Sequence, residues 1–192
     1  MTLRRAAGLS VLLEATVLAP AVAQTLTPAP LVAGNVSFAM HSTIIGAFTG
    51  HAPVARAEFT GDRLGEVHGM AEVRIADMRT GIAARDRHML EVMAADSYPT
   101  VRFDLVAVQA GAAAGDTTRV VFEGRLTLDG VTRAVSAPGT VVVKPGGVDV
   151  AAAFPIDMRD YGIVPPVRAL ILRVSPDVVV TVRLSFGGAA GP

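Results

Sequence analysis

The sequence predicts an all-β fold, an antiparallel barrel of about eight strands with one short helix, around residues 84–95, at one end. Three observations predict it. Apolar residues recur at alternate positions through most of the chain, the period of a strand with one buried face. Turn signals rich in Gly, Pro and Asp separate these runs, and no strand–helix–strand rhythm suggests a parallel sheet. The period changes once, between Arg85 and Phe103. There Arg-Asp-Arg-His-Met-Leu-Glu suits a helix, Tyr98-Pro99 stops it, and Val101, Phe103 and Leu105 resume the alternation.

Residues 1–23 have the form of a secretory signal. Arg4 and Arg5 precede the mostly apolar Ala6–Pro20, and Ala21-Val-Ala23 fits a small-residue cleavage site. The apolar run is shorter than the roughly 20 residues needed to span a bilayer, and Glu14 interrupts it. Cleavage is therefore expected over anchoring, with residues 24–192 as a single barrel domain in the periplasm or secreted. The chain has no Cys, so stability must come from the core. Without Arg4, Arg5 and Glu14, its 17 basic and 17 acidic residues become 15 and 16, a net charge of −1. That balance argues against a nucleic-acid or polybasic membrane-surface partner. No later apolar run is long enough to span a membrane.

Residues 24–33, with Pro28 and Pro30, read as an exposed leader. Val36, Phe38 and Met40 then alternate with Ser37, Ala39 and His41. Residues 41–53 give no firm pattern, and 54–60 is a plausible second strand. Val67, Gly69, Ala71, Val73 and Ile75 oppose His68, Met70, Glu72 and Arg74. After the helix, 101–108 is a strand and 111–116 a Gly/Ala loop. Residues 119–128 alternate Val120, Phe122, Gly124 and Leu126 against Arg119, Val121, Glu123 and Arg125. Asp129-Gly130 suits a two-residue hairpin turn with positive φ at both positions. Residues 131–143 return, bent near Pro138-Gly139, and Lys144–Gly147 turns into 148–156. Residues 178–186 form the last strand, before a frayed tail. Sequential antiparallel strands leave two edges, which a barrel removes by closing; a sandwich is the alternative.

Four segments, in order, resemble the YceI-like family of lipocalin-like barrels. They are Asn35-Val-Ser-Phe38; Arg85-Asp86-x-His88-Met89 with Tyr98-Pro-Thr-Val-Arg-Phe103; Gly124–Arg133; and Phe154–Ile163. Together they run across about residues 34–186. The segment from His88 to Tyr98 is shorter than the usual family pattern and lacks its paired aromatics. The resemblance implies a small barrel whose apolar interior takes up a polyisoprenoid or fatty-acyl chain. With no Trp and two Tyr, and with small residues such as Gly69, Ala71, Gly124 and Ala152 on inward positions, a hollow interior is open to the chain. Residue patterning alone is equally consistent with a packed one.

The expected apolar lining is Phe38, Val73, Ile75, Phe103, Leu105, Phe122, Leu126, Phe154 and Ile156, with Met89 and Met93 closing one end. Arg85 or His88 would meet a phosphate or other polar head at the mouth. The structural alternative for this charged cluster is that Arg85 or Asp86 pairs with Asp157, Arg159 or Asp160 and pins the helix to the barrel. His88 and Glu91 stand at metal-ligand spacing, but no H-x-H or HExxH pattern joins them, and neither a metal nor any other cofactor is expected. No G-x-S-x-G, nucleophilic Cys, P-loop or dinucleotide fingerprint appears, so a hydrolase is disfavoured and no catalytic residue is assigned. The expectation is an exported, non-catalytic protein that carries or sequesters a long apolar lipid, with a homodimer left open. The competing class is an envelope stress or interaction protein with a packed barrel and a protein partner.

Overall fold

Two residues, Val54 and Ala55, bring the two ends of one curled sheet together. The computed structural model describes residues 29–44, 46–165, 167–168 and 172–187. The expected signal at 1–23, most of the expected leader and the tail beyond Gly187 lie outside the described residues. The order is β1 (Leu31–Ser42), β2 (Gly46–Pro53), β3 (Arg56–Thr60), β4 (His68–Arg74), α1 (Ala83–Val92), β5 (Thr100–Ala114), β6 (Thr117–Leu128), β7 (Val131–Lys144) and β8 (Gly147–Asp157). The two-residue β9 (Val167–Arg168) and β10 (Leu172–Arg173) then precede β11 (Asp177–Gly187), and 3₁₀ turns occupy 64–66, 75–77 and 158–161.

Nine strands form one antiparallel sheet in the order β2-β1-β11-β8-β7-β6-β5-β4-β3. Its end strands β2 and β3 are consecutive in the chain. The Val54 N–H donates to the Gly34 carbonyl of β1, while the next N–H, on Ala55, donates to the Glu72 carbonyl of β4. The segment 46–60 is thus one bent stave shared by both ends of the sheet, and counting it once gives the expected eight. A shared corner protects both edges, the liability that an open sheet would leave exposed.

The wall is not uniformly laced. β7 pairs with β8 only from Gly139 onward, opposite Ala152. Just past that point come Pro138 on β7 and Pro155 on β8, which bring no N–H to a ladder. The 3₁₀ turn at 158–161 covers the resulting gap. Its Tyr161 and the following Ile163, each 3% exposed, join the core cluster that contains Phe122 and Leu126. Burial raises the Tyr161 phenol above its usual pKa. Arg133 of β7 fastens the outside by donating from Nε to the Asp160 carbonyl at 3.0 Å.

The hairpin reading holds. Asp129 and Gly130 have φ of 50° and 72°, the positive pair of the expected hairpin turn, and Gly162 takes φ 78° at the end of its 3₁₀ turn. Others change. The exposed leader gives way at Leu31, where β1 already pairs with β11 through Leu31↔Phe186. The supposed loop at 111–116 is mostly strand. β5 runs to Ala114 with a register shift between Ala110 and Ala113, so its Gly and Ala residues mark a bulge. The helix is Ala83–Val92 rather than 84–95. Ala94 adopts φ 44°, and the Ala95 N–H reaches back to the Leu90 carbonyl, a left-handed helix ending usually given to Gly.

Candidate functional site

The inward positions of the curled sheet surround an apolar cavity of about 340 Å³, within the size range of small-molecule sites. Its walls come from alternate residues of the strands, and β11 alone supplies Val178, Val180, Val182, Leu184 and Phe186. A barrel of this strand number has an interior that large side chains could fill. What leaves it open is where the rings lie.

Phe38 sits directly across from Gly50 in the β1–β2 register. A Cβ on Gly50 would lie 2.2 Å from Phe38 Cζ, so the ring rests flat on the glycine backbone, against the wall. The same device recurs diagonally. A Cβ on Gly124 would meet Phe103 Cζ at 2.3 Å, and one on Gly139 would meet Phe122 Cε2 at 2.9 Å. Cross-strand glycines accept aromatic rings that would otherwise project inward, a pairing also used to protect glycines in designed sheets. Far from the helix, Phe59 and Phe186 meet edge to face, centroids 5.5 Å apart.

Ten of the eleven residues expected to line the interior do so: Phe38, Val73, Met89, Met93, Phe103, Leu105, Phe122, Leu126, Phe154 and Ile156. Ile75 does not. The strand ends at Arg74, and Ile75 begins a 3₁₀ turn in which it is fully buried in the core beside Met78 and Val73, away from the cavity. Pattern reading missed Phe48 and the β11 residues. The β11 stripe was legible, since Val178, Val180, Val182 and Leu184 alternate with exposed Val179 and Arg183. Phe48 lies in the unread segment 41–53, where small neighbours hide the period.

Among the described residues, polar side chains reach the cavity at one end only. Among the described lining residues, nitrogen- or oxygen-bearing side chains are Thr80, Arg85 and His88, all on or just before α1. Arg85 and His88 are therefore brought together at this end, one helical turn apart. The Arg85 guanidinium stands over the Phe48 ring, 4.3 Å from its centroid, a cation–π contact joining α1 to β2. His88 Nδ1 lies 3.3 Å from Glu91 Oε2, while its Nε2 is buried with no partner among the described residues.

The helix is not pinned through the expected ion pairs to Asp157, Arg159 or Asp160. Asp157 is taken by its neighbour: Arg159 Nη2 donates to Oδ2 at 2.6 Å and the Arg159 N–H to Oδ1 at 2.8 Å. Those bonds hold the Asp157 carboxyl below its ordinary pKa. Asp86 instead accepts from the Thr80 hydroxyl at 2.5 Å and the Thr80 N–H at 2.7 Å. It thereby ties the first helical turn to the loop that enters it. The Thr80 hydroxyl is the chief cause of a lowered Asp86 pKa. Further along, Tyr98 covers the hairpin turn so closely that a Cβ on Gly130 would fall 2.6 Å from its ring. The lid is thus held by a local carboxylate clasp, a cation–π contact and an aromatic–glycine contact.

A second, more polar hollow lies outside the wall at the β7–β8 gap, lined by Arg133, Ser136, Asp157, Asp160 and Tyr161 among others. Ile156 borders both hollows. No described helix is long and apolar enough to cross a membrane.

The family model of the YceI-like domain matches residues 30–186. A comparison with curated proteins gives no match. Among solved structures, BcnA of Burkholderia cenocepacia superposes with a TM-score of 0.65 at 18% identity, covering 79% of this chain and 95% of that one. A polyisoprenoid binding domain from Saccharophagus degradans, implicated in plant cell wall breakdown, gives 0.65 at 17% identity, covering 82% and 97%. A YceI protein from Campylobacter jejuni gives 0.58 at 16% identity, covering 69% and 80%. At these identities the likeness is one of fold.

Proposed function

The chain belongs to the YceI-like family, and on that footing we propose that it is an exported, non-catalytic protein that carries or sequesters one long apolar chain in its lumen. The observation that carries this reading is the arrangement of the interior. Rings lie on glycines along the wall, the space between is hydrocarbon-lined, and among the described residues polar side chains enter only at the α1 end. Such a space suits a flexible prenyl or acyl tail, for which each buried CH₂ contributes roughly 0.8 kcal/mol and no directional contact is required. Arg85 and His88 are placed to meet the polar end of that chain. The polyisoprenoid binding named for the Saccharophagus degradans domain belongs to that protein; the lumen described here supports a ligand of the same class for this one.

Export rests on the signal-like residues 1–23. The non-catalytic part of the reading is supported by the hydrocarbon character of the lining, whose polar side chains among the described residues are Thr80, Arg85 and His88. Native mass spectrometry of the protein purified from its own host tests the proposal. A bound species that extracts into organic solvent as a long-chain lipid is expected. Protein that is ligand-free and has no affinity for added prenyl or acyl chains would contradict it.

A further inference from the structure

We propose that the apolar chain enters and leaves the lumen sideways, between β7 and β8, when the 3₁₀ turn at 158–161 swings out of the wall. This rests on the function proposed above and adds the route to its site. Three observations meet at this turn. The first is that the wall here is unlaced. β7 and β8 pair only from Gly139 and Ala152 onward, so 131–138 and 153–157 share no ladder. β6, by contrast, is paired to β7 along its whole length, from Thr117 to Leu128. Parting the wall along β6 would break that ladder; parting it at the β7–β8 gap breaks none.

The second is thickness. Met158 and Ile163, at either end of the turn, line the lumen, Asp160 and Tyr161 line the outer hollow, and Ile156 borders both. One layer of side chains separates the two spaces. The third is how the turn is held. Among the described residues a single hydrogen bond joins it to β7, from exposed Arg133 to the Asp160 carbonyl. Its other polar ties are local, as between Asp157 and Arg159, or lead to the start of β11, where the Met158 N–H donates to the Pro176 carbonyl. Gly162 follows at φ 78° with open space where a Cβ would stand, a position able to absorb a hinge motion. The helix at the end of the barrel is clasped more firmly, through Asp86, Arg85 and Tyr98. What keeps the turn shut is chiefly the burial of Tyr161 and Ile163. That contact is non-directional, so an arriving hydrocarbon can cover the apolar surface that the turn uncovers. Segments with few ties across to their neighbours are the ones that open locally.

The chain has no Cys, so Arg133→Cys and Asp160→Cys, both at exposed positions, can be joined by a bis-maleimide whose spacer holds a disulfide that reductant reopens. The probe is cis-parinaric acid, a slender fluorescent acyl chain, displaced by excess oleate in stopped flow. Closing the crosslink should slow association and dissociation by the same factor, leaving the dissociation constant unchanged, and reductant should restore both rates. Arg133→Ala, which removes the strap without touching the lumen, should speed both rates by up to about fivefold, the equivalent of one net hydrogen bond, again at constant affinity. Exchange at the native rate with the crosslink closed overturns the side route while leaving the lumen reading intact. A changed dissociation constant in Arg133→Ala overturns the assignment of Arg133 as a strap, since only a ligand contact would alter it. Failure of the native protein to take up the probe overturns the lumen reading itself, and the route with it.

Discussion

Replacing Gly50 by Ala puts a methyl group where the Phe38 ring now lies. The new Cβ would stand 2.2 Å from Cζ and 2.3 Å from Cε2, and its three nearest neighbours all belong to that ring. Carbon atoms rest about 3.5–4.0 Å apart, so the ring must withdraw by roughly 1.5 Å. The wall is behind it, and the free direction is the lumen. Overpacking of this kind costs about 1–3 kcal/mol. The alanine restricts the unfolded chain and returns about 0.4–1 kcal/mol, since Gly50 does not need a positive φ. A net loss of about 1–2 kcal/mol is expected, together with a weaker hold on any chain that reaches Phe38. Thermal unfolding and titration of a prenyl probe measure the two effects, and adding Phe38→Leu to Gly50→Ala should recover part of both. Unchanged melting and unchanged probe affinity in Gly50→Ala would show that the ring is not held on the glycine and that the openness of the lumen has another cause.

Two further outcomes follow from the lid. Ala94→Gly removes the cost of a Cβ at φ 44° and should stabilise the protein by about 1 kcal/mol, read as a higher urea midpoint; a lower midpoint would mean that Ala94 is not left-handed in solution. The Asp86 carboxyl is held below its ordinary pKa by Thr80, so its contribution is complete above the unfolded-state value of about 3.9 and is lost as pH falls through the lower folded value. Between neutral pH and about pH 3 the native protein should therefore lose more stability than Asp86→Asn, and equal losses would show that the clasp is absent.

The sheet was legible wherever one face is large and apolar and the other charged. β4 and β6 are such strands, with Val73 against Arg74 and Phe122 and Leu126 against Glu123 and Arg125. Reading failed where the structure needs small residues for reasons of space. Gly50 lies in the segment 41–53 that gave no firm pattern, yet it is the seat of a phenyl ring in the middle of β2. Gly111 and the alanines around it read as a loop, yet they form a bulged ribbon. The ends of the site suffered differently. Ile75 continued a perfect alternation, but a 3₁₀ turn rotated it into the core, and nothing in a period of two signals where a strand stops. The polar partners were misplaced because Asp86 found Thr80, six residues away, and Asp157 found Arg159, two residues away. Local partners of this kind outcompete distant ones because little loop entropy is spent in reaching them.

Whether the interior is hollow and takes up hydrocarbon can be measured with a homologous series of straight-chain alcohols of increasing length, titrated calorimetrically into ligand-free protein. Affinity should climb by up to about fourfold per added CH₂, the equivalent of roughly 0.8 kcal/mol, and then level off once the chain fills the lumen between the α1 end and the Phe59–Phe186 pair. Affinities that are absent, or that do not change with chain length, would contradict a hollow, chain-binding barrel.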